Sequence, residues 1–470
     1  MRSLKRFLLV LAVVGAVASA RAFTPLMPFA AWQVPRIGYN PVGEDIGGPA
    51  NLGEEYRWNL KTIYFGFDES FLNYFGTAGT NAVIQALDIL NSLPATSQMS
   101  SNLTEFPLNS TRQNATAAAL GLIDLKSQTL TLMMEEIGLA SPSRYTWTLR
   151  NRRESPLIYT IVKRNFDPVT LAPSSYVNGV LYTFTVQEFR NPDWADAVEV
   201  QIEPNRPGYT AVADGADGLF SSLYYGQYYT GLTRDDVGGI RYIYRTNNYQ
   251  FENLISSVTS VATGGGDPWG LPGGTNSTSS NSIVNTAIRA GIDKFTFKLG
   301  KYDSFVGTFI TTTNTFTDTY VTNSSFKSQN VQRVLTQPDL LFTAEDLGIF
   351  NADGSPVTFR RTTTASWANN DAINGQATLD GPGVIQPQVN IAFSKVGPYF
   401  FDIAPSFISE VIAPVGTLVW GSFDGRTNYP IIYPSGTSIY DYESQVMVGG
   451  NSGVSPYSLP NAVGVVTNTP

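Results

Sequence analysis

Apolar positions change their spacing along the chain, and the spacing predicts the elements. "KTIYFGFD" (Lys61–Asp68) alternates Ile63, Phe65 and Phe67 on one side and reads as a strand with one buried face. "TAGTNAVIQALDILNSLPA" follows, with Val83, Ala86, Leu87 and Leu90 at i, i+3, i+4 and i+7, and predicts a helix that stops before Pro94. "DLKSQTLTLMMEEIGLASP" predicts a second helix, with Leu125, Leu132, Met133, Ile137 and Leu139 as its apolar side and Gly138 or Pro142 at its end. Strands are predicted in "PLIYTIVKRNF", "SYVNGVLYTFTVQEF" and "AVEVQIEP", and Asn178-Gly179 in the second of these is a two-residue hairpin signal. "GLTRDDVGGIRYIY" (residues 231–244) predicts a further helix, with Thr233 as N-cap and with Asp235 and Asp236 in the first turn, where acids complement the helix dipole.

Beyond residue 282 the period is two. "DKFTFKLG", "TFITTTNTFTDTYVT", "PQVNIAFSKVGPYFFDIA", "GTLVWGSF" and "YPIIYPSG" alternate or run apolar between turn signals such as "NADGSP" and "DGPG". Between the two regimes lies "TGGGDPWGLPGGTNSTSSNS" (263–282), which has little to bury. The expected organisation is α+β: a mixed α/β domain over 23–262, a linker over 263–282 and an all-β, sandwich-like domain over 283–470. Residues 1–22 form the expected signal peptide. Arg2, Lys5 and Arg6 precede the apolar run Phe7–Ala18, and two small-x-small cleavage sites follow at Ala18–Ala20 and Ala20–Ala22. The run is too short for a membrane span, so export without membrane insertion is expected.

Charge narrows the classes of function. The formal net charge is −8, and removal of residues 1–22 leaves 26 basic against 38 acidic residues. An acidic chain without a basic cluster does not suit nucleic acid, whose phosphates need Lys and Arg. Charged residues make up 14%, so hydroxyls and amides carry the surface polarity. Histidine and cysteine are absent, which excludes Ser-His-Asp and Cys-His catalysis and most zinc, copper, haem and iron–sulfur sites. Sequons stand at Asn102, Asn109, Asn114, Asn276 and Asn323 and read as polar loops.

Residues 231–244 carry a resemblance. Leu232, Asp235, Asp236, Gly239, Ile240, Ile243 and Tyr244 fill the pattern L-x-x-D-D-x-x-G-I-x-x-L-Y, which resembles the closing helix of matrixin-type metzincin proteases. "GLFSSLYYGQYYTGL" before it is similar to the approach that follows the family's Met-turn, without its Met. The resemblance spans Trp58–Tyr244 and implies a metzincin-like fold. It also implies three zinc-binding histidines with a Glu as general base, and here the chain departs. The nearest segment, "MEEIGLASPSR", has Met134, Gly138 and Arg144 where imidazoles belong and Glu135 at the base position. The same acids and apolar stripe equally suit an ordinary amphipathic helix. "DESFLNYFG", "ASPSRYTW" and "GPGVIQPQVNIAF" are in addition similar to stretches of exported proteins of environmental bacteria such as the Verrucomicrobia.

Candidate sites remain. Glu135, Glu136, Glu188, Asp214 and Asp217 are carboxylates of the type that glycoside hydrolysis needs in pairs. Asp214 and Asp217 in "ADGADGLF" offer oxygens to calcium, or mark a turn; no other cofactor is implied. Tyr224, Tyr225, Tyr228 and Tyr229 belong to an aromatic cluster that either packs in the core or meets sugars or a protein partner. The expected function is a secreted, non-catalytic structural or adhesive protein of the cell surface or extracellular matrix, whose partners are copies of itself or an extracellular glycan. The alternatives are a carboxylate-dependent glycoside hydrolase and an atypical relative of the metalloproteases.

Overall fold

The computed structural model describes residues 23–25, 56–188, 195–203, 209–216, 223–255, 257–261, 283–303, 308–322 and 325–345, and shorter stretches between 347 and 437. Residues 1–22 and 263–282 lie outside the described residues. The chain is α+β. Its central strand is β1 (Thr62–Phe67), followed by helix α1 (Glu69–Asn91). Asp68 caps α1 by accepting from the Phe71 N–H at 2.9 Å. The predicted stripe Val83, Ala86, Leu87 and Leu90 is buried, and it extends back to Phe71 and Phe75, before Gly76 breaks the helix.

The alternation in β1 suggested one buried face, but the strand is buried on both. Ile63, Phe65 and Phe67 join the main core, where the Phe67 ring lies 4.9 Å from Phe71 and 5.6 Å from Phe342. Tyr64 on the other face packs with Phe309 and Leu335. The reason is pairing. β1 is parallel to Thr296–Leu299 on one side and to Leu340–Glu345 on the other. Leu340–Glu345 runs parallel to Val389–Ser394, and Phe359–Arg361 closes that edge antiparallel. Parallel sheets are covered on both faces, which explains the continuous burial.

Helix α2 (Ala115–Ala119) leads into Leu122–Asp124 and then into α3 (Leu125–Glu136), which is capped by Asp124. α3 is buried nearly all round, so its polar groups turn inward to partners. The Trp58 indole N–H donates to Glu136 O at 2.7 Å, and the Thr129 hydroxyl bonds Leu125 O at 2.7 Å. Gly138 ends it at φ +104°, where a Cβ would sit 2.0 Å from Tyr56 O. The Asn178-Gly179 hairpin forms as expected, with Val177 opposite Val180. Helix α4 (Arg234–Tyr244) realises the motif at 231–244 and packs Val237, Ile240, Ile243 and Tyr244 into the core.

Hydrogen bonding repeatedly crosses the stretch 263–282. Strands C-terminal to it complete the parallel sheet around β1. A second, antiparallel sheet joins Gln250–Asn253 and Val258–Ser260 with Thr286–Arg289 and the long hairpin Thr312–Thr322/Ser325–Leu335. A third pairs Leu122–Asp124 with Val419–Ser422. Strand periodicity locates strands without naming their partners, and among the described residues strands after 282 pair with strands before 263.

Two outcomes follow from this pairing. Residues 23–262 and 283–470 produced separately are expected to give no cooperative thermal unfolding by circular dichroism, and a cooperative melt of either piece alone refutes a shared core. The Asp339 carboxylate accepts from the Tyr64 N–H at 2.8 Å and pairs with the buried Arg333. Asp339→Ala leaves that guanidinium buried and uncompensated, and should cost about 3–5 kcal/mol in urea unfolding.

Candidate ligand groove

The acids of the 231–244 motif are structural. Thr233 and Asp236 form a capping box, and both Asp235 and Asp236 are fully enclosed rather than solvated. Asp235 accepts from the Asn178 N–H and so holds the hairpin turn. Asp236 accepts from the Val212 and Ala213 N–H groups, each at 3.0 Å. Burial pushes the Asp236 pKa up, against those hydrogen bonds.

The other candidate carboxylates lie in separate elements. Asp214 is buried, and its two oxygens accept from the Ser141 hydroxyl, the Ser143 N–H and the Ser143 hydroxyl at 2.8–2.9 Å. Asp217 lies outside the described residues. Glu135 and Glu136 are enclosed in α3, and Glu188 ends the strand Val180–Glu188. Among the described residues no three potential ligands cluster for a metal. The positions matched to zinc-binding imidazoles do not fit that ion: Met134 is packed in the core, Gly138 has no donor side chain, and Arg144 is a cation 3.3 Å from Glu199.

The four tyrosines separate into two environments. Tyr229 is 1% exposed and belongs to the core. Tyr224 and Tyr225 are 64% and 37% exposed. Tyr228 is largely buried but reaches a groove of about 910 Å³ that Tyr224 also lines. The amides of Asn109, Gln113, Gln201 and Gln227, the threonines 111, 210 and 230, the ring of Tyr209 and the guanidiniums of Arg112 and Arg426 complete its described lining.

A short ladder builds this groove. Thr111–Gln113 pairs antiparallel with Gln227–Tyr229, which sets Arg112 opposite Tyr228 and Gln113 opposite Gln227. Gly226 precedes it at φ +74°, where a Cβ would lie 2.5 Å from Asn114 O and from the Ala118 nitrogen. Asn114 is fully buried. Its oxygen caps α2 through the Ala117 N–H at 2.8 Å, while its amide donates to Asp424 O and Asn428 O at 3.3 and 3.2 Å. The Ala115 N–H bonds Arg426 O at 2.8 Å. The loop carrying Arg426 is thereby hooked beside Arg112. Asn114 was read as a polar-loop sequon; the structure makes it an interior anchor whose nitrogen is engaged.

A smaller cleft of about 220 Å³ adjoins the same loop, lined by Asp124, Lys126, Asp424, Asn428 and Tyr429 among others. The Lys126 ammonium lies 5.7 Å from the centre of the Tyr228 ring. Burial raises the Asp124 pKa to about 6, opposed by Lys126 and by hydrogen bonds from Ser127 and Phe423.

No family model, curated protein or solved structure matches the chain. The sequence led to Tyr224 and Tyr228 through their clustering. It gave no sign of Arg112 or Arg426, which are distant in sequence and whose segments are joined through Asn114 and the Ala115 N–H.

Asp124 yields a pH prediction. Its pKa is raised in the folded chain from an unfolded value near 3.8, so the native state holds its proton until about pH 6. Its contribution is therefore most favourable below pH 4 and falls as pH rises through 6, by about 2–3 kcal/mol. Asn is an equally good N-cap and does not titrate. The stability of the wild type relative to Asp124→Asn, measured by urea unfolding, is expected to decline between pH 4 and 7. A flat difference contradicts the buried titration.

Proposed function

We propose that the protein is a secreted, non-catalytic adhesive protein that holds an extracellular glycan in the groove between Tyr224 and Arg426. The observation that carries this is the lining itself. Sugar rings present apolar C–H faces and rows of hydroxyls. Exposed tyrosines supply flat apolar contact, and amides supply both donors and acceptors. The described lining has three tyrosines, four amides and three threonine hydroxyls, and no carboxylate. Tyr429, 82% exposed on the same loop as Arg426, extends the aromatic rim towards the second cleft. The matrixin resemblance enters as proposed ancestry only. Its motif residues support the groove wall, and its metal positions carry other chemistry.

One observation favours a second reading. The smaller cleft holds Asp124, with a pKa of about 6, beside the exposed Asp424. A carboxyl with a raised pKa sharing a cleft with a second carboxyl is the pairing a glycosidase uses. The capping role of Asp124 accounts for its position without catalysis, so binding is preferred.

Affinity electrophoresis through gels containing soluble polysaccharides tests the proposal. At least one polysaccharide should retard the protein without release of reducing ends. Tyr224→Ala should weaken that binding about three- to tenfold, as expected for an aromatic contact of about 0.5–1.5 kcal/mol. Release of reducing sugar that Asp424→Asn abolishes would establish the hydrolase instead, and migration unaffected by every polysaccharide would refute glycan binding.

A further inference from the structure

We infer that the groove selects anionic polysaccharides, with Arg112 and Arg426 binding their carboxylate or sulfate oxygens. The inference rests on the glycan reading above and narrows it to a ligand class.

Charge is scarce and mostly negative in this chain, yet the described groove lining bears two guanidiniums and no Asp or Glu. Four arginines elsewhere, Arg57, Arg144, Arg289 and Arg333, each pair with a carboxylate within 3.3 Å, while Arg234 and Arg241 are held by backbone carbonyls. Arg112 and Arg426 have no carboxylate partner among the described residues, and both are exposed. Arg112 donates one N–H to Thr111 O at 2.7 Å, which steadies the side chain and leaves most of its five donors for a ligand. The nearby Asp424 belongs to the neighbouring cleft and accepts from Asn428 at 2.5 Å.

The two cations are also placed, not scattered. Arg112 sits on a paired strand opposite Tyr228, and Arg426 is fixed by the Ala115 N–H bond and by the three acceptors around the Asn114 amide. Planar guanidiniums match the paired oxygens of a carboxylate or sulfate, whereas the amides and tyrosines address the rest of the sugar. A polymer bearing anions supplies both cations with a counter-charge; a neutral glucan leaves them without one.

The test uses the full mature chain and paired polymers, one anionic and one neutral on the same sugar backbone. Polygalacturonate is compared with its methyl ester, and cellulose sulfate with hydroxyethyl cellulose, by affinity electrophoresis at low and at 0.5 M salt. The anionic member of at least one pair should bind about tenfold or more tightly, with the preference shrinking at high salt. Whichever pair shows it distinguishes carboxylate from sulfate. Arg112→Gln and Arg426→Gln should each reduce the preference about two- to fivefold. Lys327→Gln, an exposed cation on the distant hairpin, should leave it intact. Equal binding within both pairs overturns the inference and leaves glycan binding standing. Binding to no polymer overturns both. An anionic preference that the arginine changes and Lys327→Gln lower alike would show general attraction of polyanions and overturn the assignment to the groove.

Discussion

Buried charge is the constraint on which this architecture turns. Arg57, 1% exposed, pairs with Glu252 at 2.5 Å and donates to Ile243 O, Asn248 O and Arg289 O. Arg289 in turn pairs with Asp318 at 2.8 Å and donates to Glu252 O. Through these contacts the segment before β1, the end of α4 and three strands of the antiparallel sheet share one polar junction. Arg333 and Asp339 repeat the device against β1. A buried ion pair adds little net stability over an apolar substitute, but an arrangement that separates the partners is strongly penalised. The junctions therefore restrict which distant segments lie together, and they tie both sides of residues 263–282 into one core.

The same principle sets the groove. Asp236 begins α4 and simultaneously gathers the Val212 and Ala213 N–H groups, two and three residues beyond Thr210 in the groove wall. The Ser127 hydroxyl, itself bonded to the Asp124 carboxylate, accepts from the Tyr229 N–H behind the Arg112–Tyr228 ladder. Asn114 fastens the opposite loop. Each wall thus hangs on a buried acid, hydroxyl or amide, and the exposed tyrosines and arginines are carried on a rigid frame. Preorganisation of this kind lowers the entropic cost of binding a flexible polymer.

Local chemistry in the sequence was legible where a neighbour within a few residues decides the outcome. The α1 stripe, the Asn178-Gly179 turn and the Thr233 cap each depend on residues close in sequence. Pairing was not. β1 reads as half-exposed because alternation shows a side-chain pattern, whereas its second buried face comes from Tyr64 meeting Phe309 and Leu335. The acids of α4 read as dipole partners in solvent because nothing nearby in sequence reveals that Asn178 and Val212 come to meet them. Of the groove, the tyrosine cluster was visible, and even there Tyr229 faces inward. Arg112 and Arg426 look like solvated surface charges until Asn114 joins their segments.

This bears on the matrixin resemblance. Under the proposed ancestry, the residues shared with that family are those with work in the fold: Asp235 and Asp236 bind backbone, and Ile240, Ile243 and Tyr244 fill the core. The positions that differ from it have partners of their own kind, Met134 among apolar side chains and Arg144 beside Glu199. Adding histidine at those positions would not by itself create a zinc site, because Met134 lies among apolar side chains and a Cβ at Gly138 would sit 2.0 Å from Tyr56 O. Conservation of a fold motif and loss of its chemistry are thus compatible, since the buried acids answer to packing and the imidazoles answer only to the metal. The glycan-binding proposal therefore rests on the surface that the frame supports, the tyrosine- and arginine-lined groove, and not on the motif.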